Sequence, residues 1–175
     1  CRVAGIQPDC VVIVATVKAL KLHGGADKAT LSEENLAALE AGMPNLYKHI
    51  ENIKQVYHKP VIVAMNRFAS DTPAEIEFVM KSVAAAGSKA VFTDVFLQGG
   101  EGGRELAEAV VAAAEQKSEL AYAYDLHDPV KKKIEAIVTR VYGGTGVTYS
   151  ALADEKIAEA EARGYGKWPV IIAKT

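Results

Sequence analysis

Short apolar runs, separated by longer stretches in which apolar positions recur every three or four residues, set the pattern of this chain. Val11 to Ala15, Val61 to Met65, Ala90 to Val95 and Pro169 to Ala173 are rich in β-branched residues and do not alternate with polar ones. Such runs read as strands buried on both faces, the signature of a parallel sheet. Ala121 to Tyr124 is a further short candidate. Helical patterns lie between the runs, so the expected fold is a layered α/β one: a mainly parallel sheet flanked by helices, with right-handed crossovers.

The helices carry their own punctuation. Thr30 with Glu33 forms a candidate capping box for a helix through Ala41, which Gly42 and Pro44 then end. A second helix places Leu46, Ile50, Ile53 and Tyr57 on one face and stops at Lys59-Pro60. Thr72-Pro73-Ala74-Glu75 combines an N-cap, a first-turn proline and a capping glutamate. Ile76, Val79 and Val83 follow at core spacing, and Gly87 closes that helix. Arg104 to Gln116 is alanine-rich and amphipathic; Asp128-Pro129 opens a helix that uses Ile134, Ile137 and Val141; Ser150 caps a last one that runs to Gly164. There is no repeat, low-complexity tract or linker, so residues 1–175 read as a single α/β domain.

Composition narrows the function classes. The chain has 175 residues and a formal net charge of −2, with half of its residues hydrophobic. No basic footprint argues for nucleic acid. No apolar run approaches the roughly 20 residues needed to span a bilayer. The two cysteines, Cys1 and Cys10, do not make a disulfide framework, which points to a cytoplasmic protein, and Cys10 beside the first strand reads as a small core residue. The chain starts without Met and ends directly after a strand-like run, so it reads as part of a longer one.

Three segments are candidates for chemistry. The first is the loop after the second strand, with Asn66, Arg67, Phe68 and Asp71. Ligands of open α/β sheets bind at the carboxyl ends of strands, and an aromatic beside an amide, a guanidinium and a carboxylate suits a flat polar ligand. The same residues equally serve as scaffolding, with Asn66 and Asp71 satisfying loop amides and Phe68 packed inward. The order loosely resembles the base-reading loop of P-loop GTPases, but Ala69 stands where the guanine-reading carboxylate would be. The second segment is Gly99-Gly100-Glu101-Gly102-Gly103, either an anion-binding loop or a tight connection. It is not a Walker A motif. The third, Thr16 to Gly25, carries Lys18, Lys21 and His23 at the end of the first strand, for a phosphate or carboxylate or simply as a solvated loop. The remaining histidines are isolated and suggest no metal site; Lys131 to Lys133 reads as a solvated face, and Trp168 as a packing residue.

Taken together, Pro8 to Gly25, Val63 to Phe68 with Asp71-Thr72, Gly99 to Gly103, Tyr142-Gly143 and Pro169 to Thr175 resemble the formate–tetrahydrofolate ligases, motif by motif and in the family's order. The resemblance implies a P-loop NTPase-related fold. It also implies an ATP-dependent ligase that joins formate to tetrahydrofolate through formyl phosphate, working as a homotetramer. ATP and Mg2+ would be held largely by a preceding part of the parent chain, and no catalytic residue would lie in this segment. What the segment would supply is the wall of the folate and nucleotide cleft. Phe68 would be one half of an aromatic clamp and Phe96 the other, standing where the family usually has Trp. Ala69 replaces a proline often found after the loop Phe, and Phe92 is a further wall candidate. The alternatives are a GTPase-like nucleotide-binding switch and a structural α/β domain with no site of its own.

Overall fold

The structure, a computed structural model, describes residues 2–173. The chain forms two compact units, Cys1–Leu120 and Ala121–Thr175.

The first unit is built on three parallel strands, β1 (Val11–Ala15), β2 (Val61–Asn66) and β3 (Lys89–Thr93), in that order across the sheet. The register pairs Val11 with Val61 and Ile62 with Lys89, so the strands finish close together at Ala15, Asn66 and Thr93. Helix α1 (Val17–His23) leaves β1, α2 (Leu36–Glu51) leads towards β2, α3 (Pro73–Ala85) crosses from β2 to β3, and α5 (Arg104–Ala114) follows β3 after the four-residue α4 (Val95–Gln98). One face of the sheet buries Val61, Val63 and Met65 under Leu20, Leu39, Met43, Leu46, Ile50, Val79 and Val83. The other buries Ile62 and Val91 under Ala109 and Ala113, with Cys10 and Leu106 at the margin. Central β2 is therefore covered on both sides, as its unbroken apolar sequence predicts.

The helices depart from the sequence expectations where tertiary contacts outweigh local signals. Thr30 belongs to a short 3-10 turn (Lys28–Thr30), and the N-cap is Asn35, whose side chain accepts from the Ala38 N–H at 2.9 Å. The helix then runs through Gly42 and Pro44 and continues as a π-helical turn (Asn52–Val56), so the two expected helices are one. An interior proline costs about 3 kcal/mol. The buried stripe Leu39, Met43, Leu46 and Ile50 outweighs it, at about 1.5–3 kcal/mol per side chain. Gly42 is needed for another reason: a Cβ there would overlap the Leu20 carbonyl, and a Cβ at Gly24 would overlap that of Ala38, so α1 and α2 cross with their backbones in contact. The segment expected as a loop at Lys18 to His23 is α1 itself. The Thr72–Glu75 capping box forms as expected. β3 ends at Thr93, and Val95 already belongs to α4.

The second unit contains α6 (Val130–Ala136), which runs on through a π-helical turn (Ile137–Tyr142), and α7 (Ala151–Ala162), capped by Ser150. Neither Ala121 to Tyr124 nor Pro169 to Ala173 is a strand. The Tyr124 hydroxyl instead accepts from the Val170 N–H and donates to the Val170 carbonyl, both at 2.9 Å, which occupies the groups a ladder would use. Lys133 is fully buried rather than solvated; its ammonium donates to the carbonyls of Gly166 at 2.6 Å and Trp168 at 3.1 Å. Trp168 is exposed and pairs with the Tyr165 ring, centroids 4.7 Å apart. Among the described residues, no helix is long and apolar enough to cross a membrane.

Candidate functional site at the carboxyl edge of the sheet

Three strand ends and the loops that leave them make the candidate site. Asn66 is the last residue of β2 and pairs with Thr93 of β3. The Arg67 N–H donates to the Thr93 carbonyl at 3.2 Å, extending the ladder by one step. Its guanidinium lies 3.5 Å from the Asp94 carboxylate and 5.7 Å from the centre of the Phe92 ring. Arg67 is thus anchored across β3 by charge and by the ring face.

Phe68 sits in a loop closed by Asp71. The Asp71 carboxylate accepts from the Phe68 N–H at 2.9 Å, and the Asp71 N–H donates to the Phe68 carbonyl at 3.0 Å. This reciprocal pair fixes the backbone that carries the ring, while the residue remains 42% exposed. The Lys18 ammonium, from the first turn of α1, stands 5.1 Å from the ring centre. Ala69 lies exposed in the turn. Two oxygens beneath it, Ser70 Oγ and Asp71 Oδ1, are buried without a hydrogen-bond partner. Buried polar atoms are seldom left unpaired.

Behind the loop lies a buried ion pair that sequence inspection did not single out. Lys21 and Glu75 are 1% and 0% exposed and meet at 2.8 Å. The Lys21 ammonium also donates to the Glu33 carbonyl, and Glu75 accepts from the backbone N–H groups of Asn35 and Thr72. Burial pushes the Glu75 carboxyl up, but the Lys21 hydrogen bond, the two backbone donors and the Lys21 charge together hold it below the usual range. Glu75 thereby joins α1, the start of α2 and the capping box of α3. The Thr72 hydroxyl donates to Glu34 at 2.6 Å.

The β3 side is more open. Phe92 is a strand residue packed against the core, whereas Phe96, on α4, is 93% exposed. Asp94, only 6% exposed, joins Arg67 to the Gly-rich segment: its N–H donates to the Gly102 carbonyl at 3.1 Å, and its carboxylate accepts from Gln98 at 3.3 Å. Gly99 to Gly103 form a 3-10 turn leading into α5. Gly99 has φ +59°, and a Cβ on Gly102 would overlap the Asp94 carbonyl, so both glycines answer to backbone geometry. Glu101 is paired with Arg104 at 2.7 Å. Nothing prevents a Cβ at Gly100, and one at Gly103 would press on Val95. Asp94 was the residue missed, along with the partnership of Lys21, read as an anion contact or a solvated loop residue, with Glu75, read only as a cap. Asp94 carried a usable signal, an acidic residue one step past a strand; the Lys21–Glu75 pairing spans most of three elements and left none.

The loops thus gather Lys18, Asn66, Arg67, Phe68 and Asp94 on the carboxyl edge of a parallel α/β sheet, the edge at which open α/β sheets bind their ligands. The sequence model of the formate–tetrahydrofolate ligase family matches residues 1–175, and the chain belongs to that family. It is 46% identical to a formate–tetrahydrofolate ligase of Symbiobacterium thermophilum over 175 residues. The match takes in all of this chain and 32% of that protein, so the chain spans about a third of the length of this curated relative.

Proposed function

We propose that the chain is the part of an ATP-dependent formate–tetrahydrofolate ligase that forms one wall of the folate and nucleotide cleft. In the proposed reaction ATP phosphorylates formate, the folate amine nitrogen attacks the carbonyl carbon of formyl phosphate, and phosphate leaves with the C–O electron pair as the amine proton is lost. The product is 10-formyltetrahydrofolate. This segment's own residues bind and orient; the phosphoryl transfer falls to the rest of the parent chain. ATP and Mg2+ would be held largely by that rest of the chain. The parent chain would act as a homotetramer in the cytoplasm.

The observation that carries this reading is that β2 and β3 are neighbours whose ends deliver two exposed phenylalanines, Phe68 and Phe96. A bicyclic or p-aminobenzoyl ring needs flat walls and a few edge partners. Phe68 and Phe96 would supply the walls, Asn66 and Arg67 the edge contacts, and the Gly-rich turn the floor nearest the nucleotide. Asp71 holds Phe68 in place instead of meeting the ligand with both carboxylate oxygens, since one already accepts from the loop N–H. In the full-length ligase, Phe68→Ala should raise the folate KM by about tenfold, the loss of one stacking wall and its buried area, with the ATP KM little changed. Phe96→Trp should lower the folate KM by enlarging the other wall. An unchanged folate KM in Phe68→Ala would remove the clamp from consideration.

A further inference from the structure

At the opposite, amino edge of the sheet lies a hollow that the ligase reading does not use. It has a volume of about 570 Å³ and an apolar floor that includes Ile62 and Ala113, a size that suits a small-molecule site. Its wall carries Lys54, His58, Lys59, Lys89 and Lys117, and no acidic residue lines it. This in a chain of net charge −2 is a local concentration of one sign, and a concave wall of one sign focuses its field inward.

The cations are held differently. Lys59 is only 4% exposed, and its ammonium donates to the carbonyl and hydroxyl of Ser118 at 2.9 and 3.1 Å, with no carboxylate partner among the described residues. Lys54 donates to the Gly87 carbonyl at 2.9 Å, which uses one of an ammonium's three donors. Lys89 and Lys117 are exposed at the rim, and their ammonium groups make no hydrogen bond or ion pair with a described residue. The Ser88 hydroxyl, on the same wall, is buried without a partner among the described residues. The chain enters this wall through His58, whose backbone takes the left-handed conformation at φ 54°, a costly geometry for a bulky residue. The acidic side chains nearby, Asp9, Glu115 and Glu119, line an adjoining hollow, which shares Gln116, Lys117 and Ser118 with this one.

We propose that this hollow is a binding site for a small multivalent anion, phosphate-bearing or polycarboxylate, held by Lys54, Lys59, Lys89 and Lys117 with the Ser88 hydroxyl as a neutral partner. Fixed and free cations are both present: Lys54 and Lys59 are positioned by carbonyls before any ligand arrives, and the rim lysines close on it. The site stands apart from the folate edge, so it neither requires nor supports the ligase reading.

The test is isothermal titration of the full-length protein with inorganic pyrophosphate, wild type against Lys89→Gln/Lys117→Gln. Both changes are at exposed rim positions, and circular dichroism and melting without the probe verify that the fold is kept. Anion sites elsewhere in the protein contribute equally to both titrations. Wild type should take up one more equivalent than the double variant, and each single variant should weaken that event by about tenfold. Lys28→Gln, a change of equal charge outside the hollow, should leave it intact. Displacement of pyrophosphate by citrate would identify a general polyanion site, and failure of citrate a phosphate site. Equal uptake and affinity in wild type and double variant would overturn the proposal, as would equal weakening by Lys28→Gln.

Discussion

Glu75 ties three helices of this unit together through one buried carboxylate. It has lost its water, yet its oxygens reach the Lys21 ammonium and two backbone N–H groups that no helix could satisfy internally. Removing one member of a buried ion pair typically costs about 3–5 kcal/mol, because the other charge is left uncompensated. Glu75→Gln keeps the shape and should destabilise the protein by that amount at neutral pH. The pH dependence has a definite sign. The folded-state pKa of Glu75 is lowered, so the unfolded chain takes up its proton more readily than the folded one. Its contribution is complete above the unfolded carboxyl pKa and is lost as pH falls through the folded value. Urea denaturation of wild type and Glu75→Gln should therefore show a gap that is largest at neutral pH and narrows in acid. A gap of constant size would mean that the carboxylate charge is not what matters. Arg67 and Asp94 form a second, looser pair at 3.5 Å with the guanidinium 40% exposed. Solvent screens such a pair, so its role is to aim the loop and not to hold the fold.

Among the elements, the crossing of α1 and α2 is the tightest joint. Gly24 and Gly42 face each other's neighbouring carbonyls so closely that neither has room for a methyl group. Gly42→Ala should cost at least about 1–3 kcal/mol, since what it meets is backbone, which cannot rotate away. Gly100→Ala meets nothing within 4 Å and should change stability by less than about 0.5 kcal/mol. Thermal melts of the two variants would separate a glycine kept for packing from one that is not, and similar shifts in both would contradict the close crossing. The same joint explains what sequence inspection could and could not read. β2 was legible because a strand buried on two faces is apolar throughout, β1 and most of β3 because their runs are apolar and β-branched although β1 leaves one face open, and the Thr72–Glu75 box was legible because a cap is a local signal. Gly42 and Pro44 read as a helix end because their local preferences say so; the reason that the helix continues is the apolar stripe it lays over the sheet, and that partner is distant in sequence. Pro169 to Ala173 had the composition of a strand but no neighbouring strand to pair with among the described residues. On the candidate site, the loop from Asn66 to Asp71 was legible from its position after β2, whereas the link from Arg67 to Asp94 depends on β3 being adjacent, which no spacing in the chain reveals.

At the scale of the whole molecule, the sheet is unevenly dressed. Val12 and Val14 are 38% and 67% exposed, although the residues beside them in register, Ile62 and Ala64, are buried. They lie on the face that α5 covers over β2 and β3, and its cover does not reach β1. The far edge of β1 also pairs with no described strand. The Val11 N–H donates towards β2, to the Pro60 carbonyl; backbone groups in a strand point alternately to the two sides, so those of Val12 and Val14 point to the open edge. An apolar face beside an unpaired edge is a standing hazard for unwanted pairing. Membership of a ligase family whose curated relative is about three times as long offers a remedy: the rest of the parent chain would add a strand to β1 and cover its valines. Hydrogen exchange can read this amide by amide. In the full-length ligase the Val12 and Val14 amides should be as protected as those of β2, whereas in residues 1–175 alone they should exchange far faster than the amide of Ile13, which faces β2. Fast exchange at Val12 and Val14 in the full-length protein as well would mean that β1 is a true sheet edge, and the covering surface would then have to be sought on another part of the unit.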